Sequence, residues 1–293
     1  MSDKEAATVE AAVNWGKAFS TPAGHMLGFD TVERTVDDCH MLCRPVAPAL
    51  DAAGGRIHSG AATVLADQCM GSAASGERPR ALVTLDMRID WFADAAPGSS
   101  VHCRARTAAK TGRTVFVTSD ITDSADGRLL GKGAGEFMVG KAAGGYKDVY
   151  SRDASLQKHR AGLSFVGIDS FDDYLAMERS AGSFRLGPAH RFIGSPFLPA
   201  LHGGLTAAAL CEAMRQSAVG WRPAGDFHML GWTTQFLLAG HALKPLSIGV
   251  EWIRRGKNVA LLTARAYQDD EGRPVALAQG SFIARDADAA GPA

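Results

Sequence analysis

The sequence predicts an α+β fold built from one unit used twice, each unit an antiparallel sheet wrapped around a single central helix. Three observations predict it. Two stretches, Ile57-His58-Ser59-Gly60 running on through Met70 and Leu201-His202-Gly203-Gly204 running on through Met214, place small residues ahead of a helix that is apolar on nearly every side. A helix of that kind is swallowed by its fold. Landmarks then recur at one spacing: His58 to His202 is 144 residues, while Gly127 to Gly272 and Phe137 to Phe282 are each 145. Finally, each apolar helix carries one acid, Asp67 in the first and Glu212 in the second. Burying an unpaired carboxylate is costly, so both acids need an explanation.

The elements follow in order. Residues Ala6 to Phe19 have helical spacing, and Thr21-Pro22-Ala23-Gly24 is expected to end that helix. Met26 to Glu33 and Cys39 to Arg44 form a hairpin around Asp37-Asp38, and the Gly54-Gly55 turn leads into the first apolar helix. Strands follow at Ala81 to Trp91, Val101 to Ala108, Thr114 to Ile121 and up to Val139, with turns at Pro97-Gly98, Lys110 to Arg113 and Asp126-Gly127-Arg128. Periodicity is lost over 141–165, read as a linker between a first repeat at 1–140 and a second at 166–293. The second repeat opens with a helix from Phe171 to Glu178, capped by Ser170, and a strand from Phe184 to Ile193. After the second apolar helix come strands at Met229 to Leu238, Leu246 to Arg254, Val259 to Tyr267 and one closing at Phe282. A unit repeated only twice reads as a pseudo-dimer fused in one chain, not a solenoid; further pairing into a homodimer stays open.

Composition narrows the function classes. The chain has 293 residues, 46% hydrophobic and 21% charged, with 31 basic residues against 31 acidic. A balanced charge gives no nucleic-acid or membrane footprint, and no run approaches the ~20 apolar residues of a membrane span. The five cysteines include no CxxC pair and no zinc spacing, and free thiols within apolar helices fit a reducing compartment, hence a cytoplasmic expectation.

The chemistry starts from the helix ends. A helix N-terminus offers free N–H groups and the positive end of the dipole, and small residues there let a substrate carbonyl approach the backbone. A carboxylate can then attack the carbonyl carbon or activate a water. Asp67 lies eight residues beyond Ser59, about 12 Å along one helix at ~1.5 Å per residue. It therefore has to serve the helix start of the other repeat. One site joins the Gly203 and Gly204 amides to Asp67; a second would join the Ser59 and Gly60 amides to Glu212. The competing reading makes the acids structural, the glycines turn residues, and His58 and His202 mere orienters of their loops.

The His-Gly-Gly motif and the acid downstream of it resemble the hotdog-fold acyl-CoA thioesterases, the PaaI-like and 4-hydroxybenzoyl-CoA thioesterase superfamily, here in tandem double-hotdog form. The resemblance covers both repeats. It implies hydrolysis of an acyl-CoA to free acid and CoA, with coenzyme A only as part of the substrate and no metal or organic cofactor. In the family the acid falls nine residues after the histidine. Asp67 fits that spacing from His58, whereas Glu212 falls ten after His202 and Cys211 holds the matching place. A strand hydroxyl assists the acid in some relatives, and Thr84 stands there. The family's frequent asparagine six residues before the histidine is replaced by Ala52 and Pro196. The basic turns with Arg113, Arg255 and Lys257 match a region that can lie near the CoA phosphates. Two other functions remain as alternatives: an acyl-CoA or fatty-acid binding protein without catalysis, and a hydratase or dehydratase, for which no Asp and His pair is found.

Overall fold

A computed structural model describes residues 21–76, 82–140, 163–180, 182–194, 199–223 and 225–285. The helix expected over Ala6 to Phe19 lies outside these residues, as does most of the 141–165 linker. The first half runs α1 (Pro22–Met26), β1 (Phe29–Arg34), β2 (Asp38–Cys43), α2 (Ser59–Ala74), β3 (Leu82–Trp91), β4 (Val101–Thr111), β5 (Thr114–Asp123) and β6 (Leu129–Val139). The second runs α3 (Phe171–Leu175), β7 (Glu178–Ser180), β8 (Ser183–Leu186), α4 (Gly203–Ala218), β9 (Phe227–Phe236), β10 (Leu246–Arg255), β11 (Val259–Tyr267) and β12 (Ala276–Ala284).

All twelve strands join one antiparallel sheet in the order β1-β2-β4-β5-β6-β3-β9-β12-β11-β10-β8-β7. The two halves read outward from the β3–β9 seam in the same sequence of elements. That seam is itself two-fold: Arg88 pairs with Thr233, and Met87↔Thr234 and Ile89↔Trp232 flank it symmetrically. Strand starts are offset by 145 residues (82 to 227, 101 to 246, 114 to 259), while the helices, 59 to 203, are offset by 144. One residue of slippage thus separates helix from sheet.

Helix α2 lies against β2, β4, β5, β6 and β3, α4 lies against β9 to β12, and the two helices touch each other. Their small residues set that distance. A Cβ on Gly204 would stand 2.9 Å from Val64 Cα and 2.7 Å from Asp67 Cβ. Alanine-rich faces bury α2 from Gly60 to Ala74 with few interruptions, so α2 has no outward polar face. None of the described helices is long and apolar enough to cross a membrane.

One helix is added and two local expectations change. Thr21-Pro22, placed at the end of the Ala6 to Phe19 pattern, opens a helix of its own: Thr21 accepts from the Gly24 N–H and Pro22 sits in the first turn, where its missing donor costs nothing. The helix after Ser170 stops at Leu175 because Ala176 turns into the left-handed region, at φ 47°, and Glu178 already belongs to β7. The strand expected over Phe184 to Ile193 ends at Leu186, before Pro188, and a 3-10 turn takes His190–Phe192.

Candidate active site

The start of α4 meets the middle of α2, and an acid from one half faces amides from the other. His202 caps α4, and Gly203 and Gly204 are its first two residues. The Gly204 N–H donates to Asp67 Oδ2 at 2.6 Å. Thr84, on β3, donates its hydroxyl to Asp67 Oδ1 at 3.0 Å. Each carboxylate oxygen therefore has one fixed donor, which locks the rotamer of a residue only 6% exposed. His202 Nδ1 lies 3.2 Å from Asp67 Oδ2, but without the alignment of a hydrogen bond. The Gly203 N–H has no hydrogen-bond partner among the described residues, and Gly203 lines the adjoining cavity. Both amides were expected to polarise a carbonyl; with that of Gly204 given to Asp67, Gly203 carries the available donor.

The cavity holds about 250 Å³. On the α2 side it is bordered by Gln68, Ser72, Ser75 and Arg34, and on the α4 side by Leu201, Phe236, Leu238 and Val275. Gly71 keeps the wall open one turn below Asp67, since a Cβ there would come within 3.0 Å of Leu82. Arg34 is buried and donates to Ser75 Oγ at 2.5 Å and to the Gly76 carbonyl at 3.1 Å. No sequence signal marks Arg34: it is the last residue of a short strand, and only the sheet brings it beside α2.

The second set is placed differently. Ser59, Gly60 and Glu212 border a common space of only about 10 Å³. The Gly60 N–H is taken by His58 Nδ1 at 2.9 Å, and Phe171 packs so closely that a Cβ on Gly60 would fall 2.2 Å from its ring. Glu212 turns to its own helix, accepting from Arg215 at 2.6 and 2.7 Å and from Gln216 at 2.8 Å. The pairing of Glu212 with the Ser59 and Gly60 amides is thus not formed. The cause is the offset between helix and sheet: Cys211, not Glu212, stands where Asp67 stands, and one residue is about 100° of helix. Burial, then the Glu212 charge, pushes the Cys211 thiol up.

His58, Asp172 and Glu212 bring ligand-type atoms within 4.8 Å of one another. Both oxygens of Glu212 already face the Arg215 guanidinium, however, so this is a charge-compensating cluster and a poor seat for a second cation. Burial pushes the His58 imidazole down, with Glu212 opposing it, and burial followed by the Glu212 charge pushes the Asp172 carboxyl up.

The basic turns stand apart from the Asp67 cavity, and none of Arg113, Arg255 and Lys257 lines it. Arg113 Nε donates to the Val139 carbonyl at 3.1 Å, next to the start of β3. Arg255 lies over Trp252 and donates to the Gly220 carbonyl, and the Lys257 carbonyl accepts from Arg222.

Residues 195–283 match the acyl-CoA thioesterase N-terminal domain family, and residues 54–129 match the thioesterase superfamily. No curated protein sequence matches the chain. Among solved structures, the tesB protein of Mycobacterium avium subsp. paratuberculosis aligns over 89% of this chain and 98% of its own, at TM-score 0.59 and 11% identity. The 12:0-ACP thioesterase of Umbellularia californica aligns over 85% and 94%, at TM-score 0.57 and 10% identity. A thioesterase-type protein of Novosphingobium aromaticivorans aligns over 87% and 98%, at TM-score 0.59 and 12% identity. At such identities the likeness is one of fold. Together with a superfamily match in each half, it makes the chain a member of the hotdog-fold thioesterase superfamily, with two thioesterase units in one polypeptide.

Proposed function

We propose that the chain is an acyl-CoA thioesterase with a single working site, formed by Asp67, Thr84 and the start of α4. The observation that carries this is the 2.6 Å hydrogen bond from Gly204 to Asp67 at the wall of a 250 Å³ cavity. A thioester carbonyl in that cavity would accept from the Gly203 N–H and feel the positive end of α4, which stabilises charge developing on its oxygen. Gly204 and Thr84 aim the acid. Asp67 then either attacks the carbonyl carbon or takes a proton from a water that does. In the second course the water oxygen bonds to the carbonyl carbon, the C–S bond breaks, and the proton held by Asp67 passes to the leaving sulfur. The Asp67 carboxylate ends unchanged, and the products are a free acid and CoA thiol.

The apolar border of Leu201, Phe236, Leu238 and Val275 suits an acyl chain. Purified protein supplied with acyl-CoAs of short, medium and aromatic acyl groups is expected to release free thiol from at least one class. Saturable binding of the whole panel with no thiol release would instead identify a binding protein.

A further inference from the structure

The two-fold relation carries the first cavity onto a second one. With the strand offset of 145, Leu82, Thr84, Phe236 and Val275 of the first correspond to Phe227, Met229, Trp91 and Leu130; with the helix offset of 144, Gly203 and Thr206 correspond to Ser59 and Ala62. All six of these counterparts line one cavity of about 220 Å³, nearly the volume of the first. The pocket has therefore been kept while its acid has not: Cys211 replaces Asp67 and Glu212 is bound to Arg215. Met229 replaces the hydroxyl of Thr84, so nothing there could aim a carboxylate.

The lining differs in charge as well. Arg215 stands where Gly71 keeps the first cavity open, and Arg285, His228 and Asp94 border the second. Asp94 is the one acid among these bordering residues, and it is shared by two guanidinium groups, Arg285 at 3.4 Å and Arg56 at 3.8 Å. Among the described residues, two guanidinium groups against one carboxylate leave a positive excess at an exposed rim, above walls formed by Ile57, Val101, Leu130 and Phe227. Charge and walls together match a chain that is apolar along its length and anionic at its end.

We propose that this second cavity binds such an anionic amphiphile without hydrolysing it, with the anion at Arg285 and Arg56 and the apolar chain inside. A free carboxylic acid and a CoA thioester both present that chemistry. The inference does not depend on catalysis at Asp67, since it rests on the lining of the second cavity alone.

Tryptophan reports on it: Trp91 lines the second cavity, and among the described residues no tryptophan lines the first. The full-length protein is titrated with decanoate carrying a terminal bromine, a short-range quencher. Saturable quenching is expected. It should weaken about tenfold or more in Ala93→Phe, which fills the cavity, and severalfold in Arg285→Met, which removes rim charge and leaves the core untouched. Thermal melting identifies any variant that is misfolded, and Arg285→Met, at an exposed position, keeps the test informative if Ala93→Phe fails. Displacement of the brominated acid by unlabelled decanoate at lower concentration than by decyl-CoA thioether assigns the site to free acids; the reverse order assigns it to CoA thioesters. No saturable quenching, equal quenching in both folded variants, or equal affinity for the brominated alcohol would overturn the proposal.

Discussion

The Gly204 amide and the Asp67 carboxylate, 137 residues apart in the chain, meet at 2.6 Å across the contact of the two central helices. The contact leaves no space for a side chain. A Cβ at residue 204 would press on Asp67 Cβ at 2.7 Å and on Val64 Cα at 2.9 Å, and the backbone of α2 cannot swing aside. Gly204→Ala should therefore cost about 1–3 kcal/mol of stability as well as activity. At residue 203 the neighbours are the ends of side chains, Thr84 Oγ1 at 2.9 Å and Asp67 Oδ2 at 3.1 Å. Gly203→Ala should displace those two groups, losing turnover with a smaller loss of stability. Melting curves and hydrolysis rates on the two variants separate the effects; equal melting losses would contradict this account of the contact.

Thr84 is the second fixed donor to Asp67. Thr84→Val keeps the shape and removes the hydroxyl, so turnover should fall about 10- to 100-fold, the worth of a hydrogen bond to a charged group. Thr84→Ser should restore most of it. Loss in both variants would place the effect in packing of the strand and not in the hydroxyl.

Glu212 forms an ion pair with Arg215. Glu212→Gln leaves Arg215, about a third exposed, without its charge partner. The expected loss is about 1–3 kcal/mol, less than for a fully buried pair because solvent screens the guanidinium. Hydrolysis per folded molecule should stay at the wild-type rate. A matching fall in rate, with melting unchanged, would return Glu212 to the chemistry.

Asp172 gives a pH dependence of definite sign. Burial first, then the Glu212 charge, raises its carboxyl in the folded state, so the folded protein holds that proton more tightly than the unfolded chain does. Ionising it costs stability as pH rises from the ordinary carboxylate range through the raised folded value, and the full cost is present above that. Asp172→Asn should raise the melting temperature by about 2–4 °C per ~1 kcal/mol at neutral pH. The gain should shrink as pH falls toward the usual carboxylate range. A gain that grew on acidification would carry the wrong sign.

Much of this arrangement was legible from residue spacing. The 144 and 145 spacings give the two-fold relation, and helix rise alone sends Asp67 to the opposite helix start, where Gly204 lies. The same one-residue difference shows that Cys211 answers Asp67. What spacing does not contain is where a long side chain turns. Nothing in the sequence says that Glu212 folds back onto Arg215 and Gln216, that Phe171 sits on the start of α2, or that Arg34 arrives beside Ser75. Those contacts join segments whose separation is set by the sheet, and each side chain has several rotamers to choose from. A local signal misled where a proline interrupts a run: Pro188 cuts a segment that otherwise reads as strand.

The central claim is that Asp67 acts on a thioester held at the start of α4. Asp67→Asn preserves size, and its amide oxygen can still accept from Gly204 or Thr84, so the fold should remain. The direct measurement is thiol release by wild type and Asp67→Asn from the acyl-CoA that the wild type turns over best, with melting curves on both. Turnover should fall by about 10² to 10⁴ with KM little changed. A folded Asp67→Asn protein that hydrolyses within about threefold of wild type would contradict the account.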